Sequence, residues 1–329
     1  MPEHAGTAAP HRIAVIGGGV NAEHDVSLAS AAAVGRAIRQ LGLDAVLLTI
    51  TADGSWQHTD GAALTAADAV ALLTSCDVAF PALHGEHGED GAVAGLLDMI
   101  GVPVAGSPVR AGALGMDKWV TKTIAEAVGI RTAPAALVRA GASAGELPFA
   151  PPIVVKPTTG GSSNGVSVVR AVDEYPGALA SARAAGSDVL VETFVTGREV
   201  DIAVFRDRSG ALRTGSTLEI GVAEGTLFDR EQKYDGTAAF TLPARLSDDE
   251  HAAVDNAART LYEVLGCAGV ARFDFFVTTE GVVLNEVNTS PGFTEQSQVP
   301  RMYQAVGLPY VELVRELLAA AFPSTETAR

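Results

Sequence analysis

The stretch Gly266-Cys-Ala-Gly-Val-Ala-Arg-Phe-Asp-Phe-Phe-Val277, with Asn285-Glu-Val-Asn-Thr-Ser-Pro-Gly-Phe293 beyond a turn, decides how this chain is read. Two β-rich runs, residues 270–277 and 282–287, flank Thr278-Thr279-Glu280-Gly281, which predicts a hairpin. Side chains alternate along a strand, so Arg272 and Asp274 share one face of the first run. Glu286 and Asn288 likewise share a face of the second. Two carboxylates and an amide beside a guanidinium make an oxygen-only set. That set suits Mg²⁺, which keeps several waters and takes one or two carboxylates together with substrate phosphates. Asp274, Glu286 and Asn288 are the candidate metal ligands. The competing reading is a surface hairpin with solvated charges, against which Asn285-Glu286 interrupts an apolar run without need.

Around this hairpin lies a chain of 329 residues, long enough for two or three domains. With 47% hydrophobic and 19% charged residues it is expected to be globular, apart from its first dozen residues. A net charge of -16 argues against nucleic acid or an acidic membrane as partner, since both are bound through Lys and Arg. An anionic substrate therefore needs local cations. Cys76 and Cys267 are isolated and match no zinc or disulfide spacing, which fits a reducing, cytoplasmic setting. Residues 1–12 carry no apolar signal core, and no apolar run reaches membrane-spanning length, so neither secretion nor membrane insertion is indicated.

The chain opens with an apolar run, 13–16, then Gly17-Gly18-Gly19, a helical segment 22–41 and a strand 45–50. This β-α-β start even satisfies G-x-G-x-x-A, which raises a dinucleotide site and, with it, an NAD-dependent oxidoreductase. Glu23-His24-Asp25 at the helix start would repel a pyrophosphate, whereas Glu23 suits an ammonium; acids there also favour the helix dipole. A helix over 63–73 and a strand over 78–80 lead to a loop, 81–91, dense in His, acids and glycine. Strand ends of open α/β sheets are where ligands bind. His84 and His87 form a His-x-x-His pair, but the flanking glycines deny it the helical geometry that aligns zinc ligands. A helix over 92–99, a strand over 102–105 and a boundary near Gly112 to Gly115 are expected next.

Asp117 caps a helix over 117–128, and strands 136–139 and 152–157 follow, separated by the Gly, Ala and Pro-rich linker 140–151. Lys156-Pro-Thr-Thr-Gly-Gly-Ser-Ser-Asn-Gly-Val166 reads as a hairpin lid over phosphates, mobile without nucleotide. It is not a Walker A loop, because the lysine comes first. A helix over 174–185 precedes strand 189–195, where Glu192 is suited to ribose hydroxyls. The polar loop 221–236 carries Lys233 and Tyr234, and loops of that length are often functional. Ser247 and Glu250 form the capping box of a helix over 247–265, and 310–322 reads as an amphipathic helix closing the fold.

Taken in order, these segments resemble the D-alanine-D-alanine ligases of the ATP-grasp superfamily. The resemblance rests on Gly18-Gly19 with Glu23-His24; Leu83-His84-Gly85 with Gly88-Glu89-Asp90-Gly91; Met116-Asp117-Lys118 with Thr121-Lys122; Lys156-Pro157 with Gly161-Ser162-Ser163; Lys233-Tyr234; Arg272-x-Asp274; and Glu286-Val287-Asn288-Thr289-Ser290-Pro291-Gly292. It implies an α/β, three-domain ATP-grasp architecture with an N-terminal Rossmann-like, parallel-sheet domain, divided at 1–116, 117–204 and 205–329. It implies ATP and two Mg²⁺ ions, Mn²⁺ being an alternative, at Asp274, Glu286 and Asn288. Lys118, Lys156, Ser163, Glu192, Glu199 and Lys233 would contact the nucleotide. Glu23 would take the ammonium of the first amino acid, linked to Ser162 and Tyr234, with His84 nearby. Arg272 and the Gly292 N–H would stabilise the oxyanion, and Ser297 would meet the second substrate's carboxylate. Small-molecule amino acids are the expected partners, and a homodimer the expected assembly.

Several positions depart from the family pattern: Asn21, Gly160, Asn164, Thr193, Phe228, Arg230 and Gln298, the last replacing the leucine usual after Ser297. None removes a metal ligand or a phosphate lysine. Gln298 puts the acceptor in doubt, because a buried amide needs a partner, either the acceptor or the protein. Related ligation to another acceptor, redox chemistry at the opening glycines and a silent binding module are the competing functions.

Overall fold

The computed structural model describes residues 11–142, 145–186, 188–221 and 239–322, and three sheets organise them. In the first, β1 (Arg12–Gly18) lies between parallel neighbours β2 (Asp44–Ile50) and β5 (Val78–Pro81). A parallel strand covered on both faces reads as a continuous apolar run, which is why Ile13 to Ile16 do not alternate. Helix α1 (His24–Gln40) covers one face with Val34 and Ile38. Two short strands, β3 (Trp56–His58) and β4 (Ala63–Leu64), extend the β2 edge antiparallel. The helix expected over 63–73 starts later, as α2 (Ala66–Thr74), because Thr65 and Asp68 close a capping box there and release Ala63 and Leu64 to β4. The strand expected over 102–105 is reduced to one bridge, Ala79 to Val104, since Pro103 has no N–H to extend a ladder.

Three helices, α3 (Ala92–Met99), α4 (Val109–Met116) and α5 (Lys118–Ala127), lead out of this layer. The break expected at Gly112 to Gly115 lies inside α4. Gly112 is there for close packing, because a Cβ would stand 2.6 Å from the Glu89 carbonyl oxygen and 2.7 Å from the Gly91 nitrogen. Asp117 ends α4 and caps α5 as expected, its carboxylate accepting from the N–H groups of Trp119 and Val120.

The middle sheet, in order β6-β9-β7-β8, is antiparallel throughout: β6 (Ala135–Val138), β7 (Ile153–Pro157), β8 (Ser167–Val169) and β9 (Val189–Thr193). Helix α6 (Tyr175–Ala185) buries Tyr175, Leu179 and Ala182 against it. The last sheet centres on β10 (Arg198–Arg206), flanked by β14 (Val270–Thr278) with β15 (Gly281–Asn288), and on its other side by β12 (Leu218–Gly221) with β13 (Ala239–Thr241). A short β11 (Leu212–Thr214) folds back on β10. The expected division at 204/205 falls inside β10, which pairs with β14 from Arg198 to Phe205 and so belongs whole to this sheet.

Helix α7 (Asp248–Leu265) starts at the predicted capping box and buries Val254, Ala258, Leu261 and Leu265 on the last sheet. Each fully buried Leu or Val contributes about 1.5–3 kcal/mol. After α8 (Gln298–Ala305), helix α9 (Tyr310–Ala321) returns to the first sheet, where Phe293 packs between Phe80, 5.6 Å away, and Tyr310, 5.8 Å away. That aromatic contact fastens the Pro291–Gly292 turn beside the ends of β1 and β5. No helix among the described residues is long and apolar enough to cross a membrane.

Candidate active site

The hairpin register aligns the predicted ligands. Asp274 pairs with Glu286 and Arg272 with Asn288, and a bulge between Asp274 and Phe275 absorbs the extra residue Asn285. Asp274 is only 3% exposed, which rules out the solvated-surface reading. Arg272 holds both its oxygens, Nε donating to Oδ1 at 2.7 Å and Nη2 to Oδ2 at 2.6 Å, while Asn288 Nδ2 donates to Oδ2 at 3.0 Å. Burial opposes the charge on Arg272, but Asp274, then Asp201 and Glu286, outweigh it and raise its pKa. Lys118 Nζ lies 3.8 Å from Glu286 Oε2. The proposed metal ligands are thus neutralised by two protein cations.

Glu23 holds the N-cap position of α1 without capping it through its side chain, which reaches across to the turn after β7, where Ser162 Oγ donates to its Oε1 at 2.5 Å. That turn is conformationally costly: Ser162 and Ser163 have φ of 51° and 56°, a left-handed region that residues with a Cβ seldom take. Lys118 Nζ ties the same turn down by donating to the Gly160 carbonyl at 2.8 Å. Contacts between the first and middle sheets therefore converge on one carboxylate.

Between the middle and last sheets a second pocket is lined by Lys118, Lys156, Ser163, Glu192, Glu199 and Phe276. Within it Glu192 is fully engaged, Lys156 standing 2.5 Å from Oε1 and Lys122 2.9 Å from Oε2. The expected ribose contact would have to share those oxygens. Burial works against the charge of Glu192, yet the two ammoniums outweigh it and hold its carboxyl below the ordinary range. Lys122 is also lowered, because burial costs more than its half of a shared carboxylate returns. Lys122 belongs, with Thr121, to the residues of the resemblance, but sequence reading gave it no role at the site.

His84 is buried with both ring nitrogens spent, Nδ1 donating to the Ser290 carbonyl at 2.8 Å and Nε2 accepting from Ser30 Oγ at 3.0 Å. Burial lowers its pKa, so the ring is neutral. With His87 exposed, the zinc pair fails; among the described residues no three His, Cys, Asp or Glu group as metal ligands. The opening glycines likewise spend their donors internally, Gly18 N–H on Ser27 Oγ at 2.9 Å and Gly19 N–H on the Ile50 carbonyl at 2.7 Å. A pyrophosphate would find no cradle there, and the redox reading loses its residues.

Glu23, His84, Lys118, Ser162, Arg272, Glu286, Asn288, Gly292, Ser297 and Gln298 surround one cavity of about 410 Å³. Asp274 lies behind its wall. Ser297 Oγ accepts from the Thr294 N–H at 3.0 Å instead of capping α8. Gln298 Oε1 accepts from Arg272 Nη1 at 2.8 Å, so the amide has a partner within the protein, and its Nε2 hydrogens remain for others. Glu89, missed as a site residue although two acids between glycines pointed to it, also lines the cavity; burial, then the charge of Glu23, pushes its carboxyl up to about 8. Lys233 and Tyr234 lie outside the described residues.

Comparison with known proteins agrees with this geometry. Residues 12–107 match the model for the D-ala D-ala ligase N-terminus, and residues 128–319 that for the C-terminus. The chain is 37% identical to a D-alanine–D-alanine ligase of Mycolicibacterium smegmatis and 38% identical to one of Mycobacterium ulcerans, covering 94% of this chain and 95% of each relative. Among solved structures, the D-Ala:D-Ser ligase VanG of Enterococcus faecalis superposes with a TM-score of 0.81 at 31% identity, covering 94% of this chain and 99% of that one. The D-alanine-D-alanine ligase of Coxiella burnetii gives 0.81 at 27%, covering 96% and 94%. With both family models, full-length relatives and a three-sheet fold in agreement, this chain belongs to the D-alanine–D-alanine ligase family.

Proposed function

We propose that the protein is an ATP-dependent ligase that joins two D-alanines into D-alanyl-D-alanine for peptidoglycan synthesis, releasing ADP and phosphate. The observation that carries this reading is the meeting of three regions at one cavity: Glu23 from the first sheet, Lys118 and Ser162 from the middle region, and Arg272, Glu286 and Asn288 from the hairpin. A carboxylate is a poor acyl donor and must be activated. Glu23, steadied by Ser162, binds the ammonium of the first D-alanine. That substrate's carboxylate oxygen attacks the γ-phosphorus of ATP, the bond to ADP breaks, and an acyl phosphate forms. Phosphoryl transfer mainly needs positioning and neutralised charge, which Lys118 and Lys156 supply. Ser163, Glu192 and Glu199 line the nucleotide pocket, and Lys233 and Tyr234 join from the long loop.

The neutral amine of the second D-alanine then attacks the acyl carbon, and phosphate leaves. Arg272 and the Gly292 N–H stabilise the oxyanion of that step. Ser297 meets the acceptor carboxylate, and the neutral His84 supports the wall by binding the Ser290 carbonyl. The donor set of Asp274, Glu286 and Asn288 fits Mg²⁺, two ions in this reading with Mn²⁺ as a substitute, because two acids and an amide lie on paired strands. Bound there, the metal would neutralise phosphate charge. The same reading includes division near 116 and before Arg198, a cytoplasmic location, and a homodimer that light scattering would test.

Mass spectrometry of products from ATP, Mg²⁺ and D-alanine tests the reaction, with D-alanyl-D-alanine and ADP expected; no ADP release with any D-amino acid would refute it. Glu286→Gln should still bind ATP but lose turnover by about a hundredfold, within the range for removing charge stabilisation. Undiminished phosphate release would take the hairpin out of the mechanism. Gln298 favours a second reading, in which a hydroxyl-bearing acceptor is also used. Competition between D-alanine and D-serine on the native chain and Gln298→Leu decides it, unchanged preference ruling out a role for Gln298.

A further inference from the structure

Asp201 stands on β10 directly opposite Asp274 on β14, with Arg272 diagonal to it. Directly paired residues of antiparallel strands project to the same face, and like charges placed so repel unless a cation lies between them. Asp201 is wholly buried. Arg272 Nε is 3.6 Å from its Oδ2 and donates to Asp274 Oδ1 at 2.7 Å. One guanidinium is therefore poised between two carboxylates on the same sheet face, Asp201 wholly buried and Asp274 3% exposed. Gln298 Oε1, at 2.8 Å from Nη1, holds its third side without using either acid.

That arrangement contains a conflict. Arg272 and Asn288 already take three of the lone-pair sites of Asp274, leaving it a reduced share for a divalent cation, and the cation itself would repel the guanidinium. A buried guanidinium released without a new partner is strongly disfavoured. We propose that Asp201 is a positioning residue that takes over Arg272 when Asp274 turns to the metal, keeping the guanidinium at the cavity wall with Gln298 as its pivot. The inference rests on the metal-dependent reading above and adds a residue that touches neither substrate nor metal.

Mn²⁺ is a suitable probe, its binding to the full chain in the presence of ADP being read from the paramagnetic resonance of the free ion. Asp201→Asn should weaken Mn²⁺ binding about tenfold, because Arg272 then stays on Asp274, whereas in an Arg272→Gln background the same change should matter less than about twofold. Asp201→Ser should repeat the result if the asparagine disturbs the strand. Equal Mn²⁺ binding by the altered and unaltered chains overturns the exchange. An undiminished effect in the Arg272→Gln background also overturns it, since Asp201 would then act on the metal directly. Absence of Mn²⁺ binding by the unaltered chain overturns the metal reading, and this inference with it.

Discussion

Glu192 is buried and Glu89 partly so, and they end in opposite states. Glu192 meets two ammoniums and stays ionised, its carboxyl held low despite burial. Glu89 meets burial and the charge of Glu23, and its carboxyl rises to about 8. The difference lies in the neighbours: burial disfavours charge in both, and only Glu192 has cations in contact to reverse the balance. A single fold thus keeps one acid as a fixed anion in the pocket between the middle and last sheets and another near neutrality beside the cavity that Glu23 and Arg272 line.

The largest effect should come from breaking the Glu192 trio. Glu192→Gln leaves two ammoniums with no anion in a site 6% exposed, and unfolding in denaturant should register a loss of about 3–5 kcal/mol. A loss below about 1 kcal/mol would mean that water already solvates the lysines. The pH dependence has a defined sign. Glu192, lowered in the folded state, contributes stability above the unfolded carboxyl range that disappears as pH falls through its folded pKa.

Glu89 runs the other way. Its raised carboxyl favours the folded state below about 4.5, and this contribution is lost as pH climbs towards about 8, the unfolded chain releasing its proton first. The slope for one such proton is about 1.4 kcal/mol per pH unit, and partial exposure of Glu89 narrows the pH range over which it acts. Glu89→Gln should flatten the fall in stability between pH 5 and 8, as followed by thermal unfolding; an unchanged profile would mean that Glu89 titrates normally. The smallest change belongs to the exposed pair of Arg131 with Glu280, 52% and 78% exposed. Glu280→Gln should shift unfolding by no more than about 0.5 kcal/mol, which calibrates the two buried acids.

Much of this site was legible before folding. Period-two alternation put Arg272 with Asp274 on one face and Glu286 with Asn288 on a face of the next strand, and the observed register, pairing Asp274 with Glu286 and Arg272 with Asn288, brings the two faces together. Capping chemistry located Asp117 and Ser247 at helix starts. Local rules failed where distant groups competed. Gly112 reads as a break, yet it packs against the Glu89 and Gly91 backbone within a helix. The two ammoniums on Glu192 were likewise out of reach of local rules, since Lys122 and Lys156 arrive from α5 and β7.

Ligand types, the strands that carry them and the face on which they lie follow from residue identity and alternation, which act over a few neighbouring positions. The order of motifs also carried the family. The protonation states, the partners of Arg272 and the hidden role of Asp201 depend on strand pairing across dozens of residues and on the water excluded by it. Electrostatic energies at such sites scale with local dielectric and separation, quantities that arise when sheets close around the charges.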